Sequence, residues 1–213
     1  MQIAILLFDD LDPQDAVGPY EVLRWVPGAE VVFPATARGP RRTERGGLSL
    51  VADRTLAEVG RPDVVVVPGG LGERRARRDP AILAWLGRVH ETTTWTTSVC
   101  TGALLLGAAG ILRGKRAVTH WTAMDDLAQF GATAVAERYV FDGKVATAAG
   151  VSAGIDMALA LAARIAGPDL AQAIQLGIEY DPKPPFEGGS PAKAPAPIVD
   201  MVRATLRELE QRA

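Results

Sequence analysis

The sequence predicts an α/β fold in which helices flank a mostly parallel sheet, and three observations lead there. The segment DVVVVPGG (residues 63–70) is apolar at successive positions, the mark of a strand covered on both faces. QIAILLF (residues 2–8) and TWTTSV (residues 94–99) add two more strand-like runs, rich in β-branched or apolar residues. Helical patterns follow each, and that alternation builds parallel strands through helical crossovers.

Taken in order, residues 2–8 form the first strand, and an amphipathic stretch near residues 18–26 forms the first helix. AEVVFPA (residues 29–35) is a second strand, and residues 36–52 read as a hairpin. After the buried strand in residues 63–70 come a helix near residues 80–91, the strand at 94–99, and TGALLLGAAGIL (residues 101–112) as a buried helix. YVFDGKVATAAG (residues 139–150) reads as a hairpin turning on Asp142 and Gly143, whose chemistry suits positive φ. Residues 152–166 are helical, and another helical stretch lies beyond Asp169. The connector DPKPPFEGGSPAKAPAP (residues 181–197) is rich in turn formers, yet Phe186 within it argues for an ordered wrap. A final amphipathic helix covers about residues 198–211.

With 213 residues and 48% hydrophobic content, the chain can bury the core of one domain, residues 1–213. A net charge of -2 supplies no basic field for nucleic acid or an anionic membrane. The opening MQIAILLFDDLD has neither a basic leader nor an apolar run long enough to span a bilayer, so a soluble cytoplasmic protein is expected. One cysteine excludes an intramolecular disulfide, and one cysteine with two histidines is a poor metal-ligand set.

Cys100 stands where strand TWTTSV passes into helix TGALLLG, and Gly102 allows close backbone packing there. A lone cysteine is ordinarily a small core residue. This position instead resembles a nucleophile elbow, with unpaired helical N–H groups available to a thiolate. A partly exposed thiol titrating below roughly 8.5 is therefore expected. Gly69 and Gly70 end the other buried strand and present N–H groups to an oxyanion, with Thr101 as the adjoining donor. Asp15 follows the first strand and suits two roles equally, an acid facing the thiol or the N-cap of a helix beginning near Gly18. Glu21, Asp9, Asp10 and Asp12 read as solvated or structural.

Of the two imidazoles, His90 reads as a surface or capping residue. His120, in VTHW, is either a site residue beside Trp121 or a hydrogen-bonded structural histidine. Tyr20 and Trp121 are candidate pocket liners. ERRARR (residues 73–78) reads as a solvated face, and GGLGER lacks the spacing of a dinucleotide fingerprint.

With these residues in place, the chain resembles the ThiJ/PfpI family of the class I glutamine-amidotransferase-like superfamily, and most closely its isonitrile hydratase branch. The resemblance spans nearly the whole chain, through DAVGPYEV (15–22), VVVPGG (65–70), SVCTGALLLGAAGIL (98–112), VTHW (118–121), GVSAGIDMAL (150–159) and IQLGIEYDPKPPF (174–186). It implies a flavodoxin-like three-layer sandwich, a homodimer, no cofactor, and an isonitrile as small-molecule substrate, hydrated to an N-substituted formamide. The family's nucleophile falls on Cys100, its acid on Asp15, and the residue after the nucleophile on Thr101. Peptidase-like members carry histidine at that last position, so Thr101 disfavours proteolysis. The glyoxalase and deglycase branch is the enzymatic alternative, though it places glutamate where Asp15 stands. A sensor of the same fold is the non-catalytic alternative, and the helix-turn-helix extension of the family's transcription regulators is missing here.

Overall fold

The computed structural model describes residues 1–212, with side chains described through residue 209. Its central sheet has six strands: β1 (Gln2–Ile5), β2 (Glu30–Val32), β3 (Val64–Val67), β4 (Trp95–Val99), β5 (Tyr139–Asp142) and β6 (Val145–Ala148). The spatial order is β5-β6-β4-β3-β1-β2, parallel throughout except that β5 runs against β6. The α/β sandwich read from the sequence is thus present, with its sheet flanked by helices.

Burial explains the sequence pattern. Ile3, Ala4 and Ile5 of β1 and all four valines of β3 are fully inaccessible, as strands covered on both faces require. β4 buries hydroxyls among them, and Thr97 Oγ1 donates to the Val65 carbonyl of the adjacent strand at 2.9 Å, which offsets the cost of taking a polar group out of water.

The helices form two packing groups. α1 (Pro13–Leu23) packs on α4 (Ala153–Ala166), which packs on α5 (Pro168–Gly177). α2 (Pro80–Thr92) contacts α3 (Gly102–Ala108), and the 3₁₀ segment Trp121–Phe130 covers α3 from the other end. α6 (Ala196–Arg212) follows the Pro-rich connector. Among the described residues, no helix is long and apolar enough to cross a membrane.

Three local expectations need correction. α1 begins at Pro13, not near Gly18, and Asp12 is its N-cap, accepting from the Gln14 N–H at 2.8 Å. Proline at the first helical position fits that start, and Gly18-Pro19, which reads as a boundary, lies inside the helix. In the β5–β6 hairpin Asp142 pairs with Val145, so the turn is Gly143-Lys144, with only Gly143 at positive φ, 61°. Asp142 is still in the strand and accepts from the Arg116 N–H. Phe186 is 81% exposed, so the connector does not wrap around it. The hairpin expected in residues 36–52 pairs Gly39–Arg42 with Ser49–Ala52.

Candidate active site

At the C-terminal edge of the sheet, β3 and β4 lie side by side and deliver the segments after them to one place. Cys100 directly follows β4 with φ 57°, a left-handed conformation that only a sharp turn imposes on a non-glycine residue. Its N–H is shared between the carbonyls of Ala148 (3.1 Å) and Ala149 (2.9 Å), and its carbonyl accepts from Thr119 Oγ1 at 2.8 Å. Those bonds fix the strained residue from both sides. A side chain on Gly102 would come within 2.1 Å of the Val67 carbonyl oxygen, so the elbow closes against β3 only with glycine there.

Asp15, on the first turns of α1, is fully buried beside this elbow. Its Oδ2 accepts the Gly69 N–H at 2.9 Å, while Oδ1 is buried without a conventional hydrogen-bond partner. Burial first, and the nearby Asp12 charge second, push its pKa well above the ordinary carboxylate range. Proximity to the Cys100 thiol works weakly in the opposite direction. The helix cap is Asp12, which leaves Asp15 free of that role.

Cys100 is only 7% exposed, and its thiol is not the low-pKa group expected from the sequence. Burial, and then the neighbouring Asp15 charge, raise it well above the ordinary thiol value. The N–H groups of Thr101 and Val151 both face the sulfur and favour its ionised form, without overcoming the other two effects. The following helix, α3, has seven residues.

The glycine donors have partners in the resting site. Gly69 N–H serves Asp15, and Gly70 N–H donates to Thr101 Oγ1 at 3.1 Å. Gly70, at φ 117°, leaves no room for a side chain, since a Cβ would meet the Asp12 nitrogen at 2.3 Å. Two backbone bonds join the segments after β1 and β3: Asp12 N–H to the Gly69 carbonyl and Gly72 N–H to the Asp10 carbonyl, each 2.9 Å.

A cavity of about 150 Å³ opens over Cys100. Gly70, Thr101 and His120 line it, but Trp121 and Tyr20 do not. Trp121 borders an adjoining cleft instead, and Tyr20 packs on Phe33 with ring centroids 5.5 Å apart. His120 caps the 3₁₀ segment through Thr122, its Nδ1 lying 2.7 Å from the hydroxyl, and burial lowers its pKa. His90 is structural, with Nδ1 2.8 Å from Thr96 Oγ1.

Several lining residues had no signal in the sequence. Glu44 comes from the 36–52 hairpin and accepts the Leu71 N–H at 2.8 Å. Glu73 and Arg74, read as part of a solvated face, also line the cavity, and Glu73 is 97% inaccessible by virtue of its 3% exposure. Val151, at φ 32°, lines it beside the sulfur. Leu206 and Leu209 reach it from α6. Among the described residues no cluster of three metal-ligating side chains occurs.

Residues 1–164 match the DJ-1/PfpI family. The chain is 43% identical over 203 residues to an isonitrile hydratase of Pseudomonas putida, covering 95% of this chain and 89% of that protein. A deglycase of Pyrococcus abyssi is 28% identical over 145 residues, 67% of this chain and 86% of the relative. The crystal structure of a ThiJ/PfpI family protein from Pseudomonas syringae superposes with a TM-score of 0.95 at 35% identity, covering 99% of this chain and 87% of that one.

Proposed function

Because the chain belongs to the DJ-1/PfpI family, we propose that it hydrates isonitriles to N-substituted formamides with Cys100 as nucleophile and Asp15 as the proton-transferring group. The observation that carries this reading is a fully buried carboxyl with a raised pKa next to a cysteine on a strained elbow. Two acids this close cannot both ionise readily, so the pair retains a proton through neutral pH.

That proton does the chemistry. As sulfur attacks the terminal carbon of R–N≡C, the thiol proton passes to Asp15 and then to the same carbon, leaving the thioimidate R–N=CH–S–Cys100. Water adds to that carbon as Asp15 accepts one of its protons and returns it to nitrogen. In the tetrahedral R–NH–CH(OH)–S–Cys100 the C–S bond breaks, the hydroxyl becomes the formamide carbonyl, and its proton restores the thiol. The backbone N–H groups of Thr101 and Val151 hold negative charge on the sulfur in each half. A relay of this kind needs no lowered thiol pKa.

The amides of Gly69 and Gly70 then act by orienting Asp15 and Thr101. His120 serves as a neutral wall of the cavity. No cofactor enters this scheme. The same reading makes residues 1–213 one domain working as a cytoplasmic homodimer, and exposed Val17, Trp25 and Leu176 are apolar surface suited to a second copy. Light scattering at micromolar protein reads that mass directly.

The deciding experiment incubates the purified protein with methyl, cyclohexyl and p-nitrophenyl isonitriles and, separately, with methylglyoxal. Formamide from the isonitriles and no loss of methylglyoxal supports the proposal. Consumption of methylglyoxal alone moves the chain to the deglycase alternative, and binding without turnover of either moves it to a sensor.

A further inference from the structure

The cavity over Cys100 has walls of two kinds. Asp12, Glu44, Glu73, Arg45 and Arg74 bring charged side chains to it. Leu71 and Val151 supply apolar lining, and Leu206 and Leu209 add more from α6. Val199, Val202, Leu206 and Leu209 recur at three-, four- and three-residue intervals, so they share one helix face. All four are half-buried, whereas Ile198 and Met201 on other faces are 46% and 58% exposed. The helix therefore lies with this seam turned inward. Arg203 stacks 5.4 Å from the centroid of the Trp121 ring, a second contact that holds α6 at this height.

We infer that Leu206 and Leu209 form the wall that receives the substituent of the substrate and select compact apolar groups over bulky ones. The inference rests on the isonitrile reading of the site. R–N≡C is linear and reacts at its terminal carbon, so carbon placed at Cys100 projects R away from the sulfur into the outer cavity. An apolar R gains there only from apolar partners, since covering the charged walls would strip them of water. Leu206 also borders the adjoining polar cleft, about 530 Å³ and lined in part by Arg203 and Arg207, so its side chain divides a small apolar space from a larger polar one.

The test compares wild type with Leu206→Ala, Leu209→Ala and Leu206→Trp, using methyl and cyclohexyl isonitrile. The cyclohexyl-to-methyl ratio of kcat/KM should rise by about 10-fold in the alanine variants and fall in Leu206→Trp. Circular dichroism checks folding, and Leu206→Met is the volume-conserving substitution for any variant that unfolds. A ratio within twofold of wild type in all variants, with turnover intact, overturns the inference and leaves the isonitrile reading standing. If wild type turns over no isonitrile, that reading fails, and alkylation of Cys100 by N-ethylmaleimide and N-cyclohexylmaleimide decides the wall separately. An alanine-induced rise of about fivefold or more in relative cyclohexyl reactivity supports it, and a smaller change overturns it.

Discussion

The two sides of the cavity over Cys100 are built on different principles. Its floor is lined by Cys100, Thr101 and Val151, with the buried pair Asp15 and Gly69 hydrogen-bonded to each other beside them, all placed by strand ends, backbone hydrogen bonds and left-handed torsions. Its outer wall is two leucines on a helix whose remaining faces are in solvent. The floor leaves no freedom to a side chain, and the wall tolerates many. On the proposed function, reaction chemistry and substrate choice would thereby be separated: the first would be tied to the core, and the second could change without disturbing it.

The largest test of that division is Cys100→Ala, which should lower isonitrile turnover by at least about 10³-fold while the thermal midpoint changes little. Retained turnover would remove the nucleophile from the floor. Asp15→Asn keeps the size of the carboxyl and an acceptor for Gly69, and should cost at least about 100-fold in kcat. The same variant should be more stable at pH 7. A buried acid with raised native pKa binds its proton longer than the unfolded chain does, so stability falls as pH rises above the unfolded value near 3.9. Removing that group should raise the thermal midpoint at pH 7. A lower midpoint for Asp15→Asn at pH 7 would show that Asp15 supports the fold instead of straining it.

A methyl on Gly102 collides with the Val67 carbonyl, so Gly102→Ala should destabilise by about 2–4 kcal/mol in chemical denaturation. Iodoacetamide labelling sharpens the electrostatics: the rate at Cys100 should still be climbing above pH 9, and the climb should move to lower pH in Asp15→Asn, where one negative neighbour is gone. An unchanged profile would separate the two residues. Phe186→Ser, on the exposed connector, should alter stability by less than about 0.5 kcal/mol.

The fold was legible because its strands carry their own pattern: four consecutive buried valines and a β-branched run ending in cysteine need no outside information. Cys100 and Thr101 stood out as candidates for the same reason, at the junction of such a strand and the helix after it, whereas position alone left Asp15 equally an acid or a helix cap. Glu44, Glu73 and Leu206 did not stand out. They reach the cavity through a hairpin, the short helix Glu73–Ala76 and a distant surface helix, and their local sequence carries no trace of what lies opposite. The thiol pKa was misread because helix position is local, whereas burial and the charge of a residue 85 positions earlier are not.

The two backbone bonds between the segments after β1 and β3 make one mechanical body of the loop that leads into α1 and the loop carrying Gly69 and Gly70. A stretch of chain inserted into either would drag the other with it. Loops of comparable exposure elsewhere accept length changes at small entropic cost. Here an added residue would shift the start of α1 and the elbow's neighbours together, so native-state hydrogen exchange should find the Asp12 and Gly72 amides opening in a single event, with one common free energy.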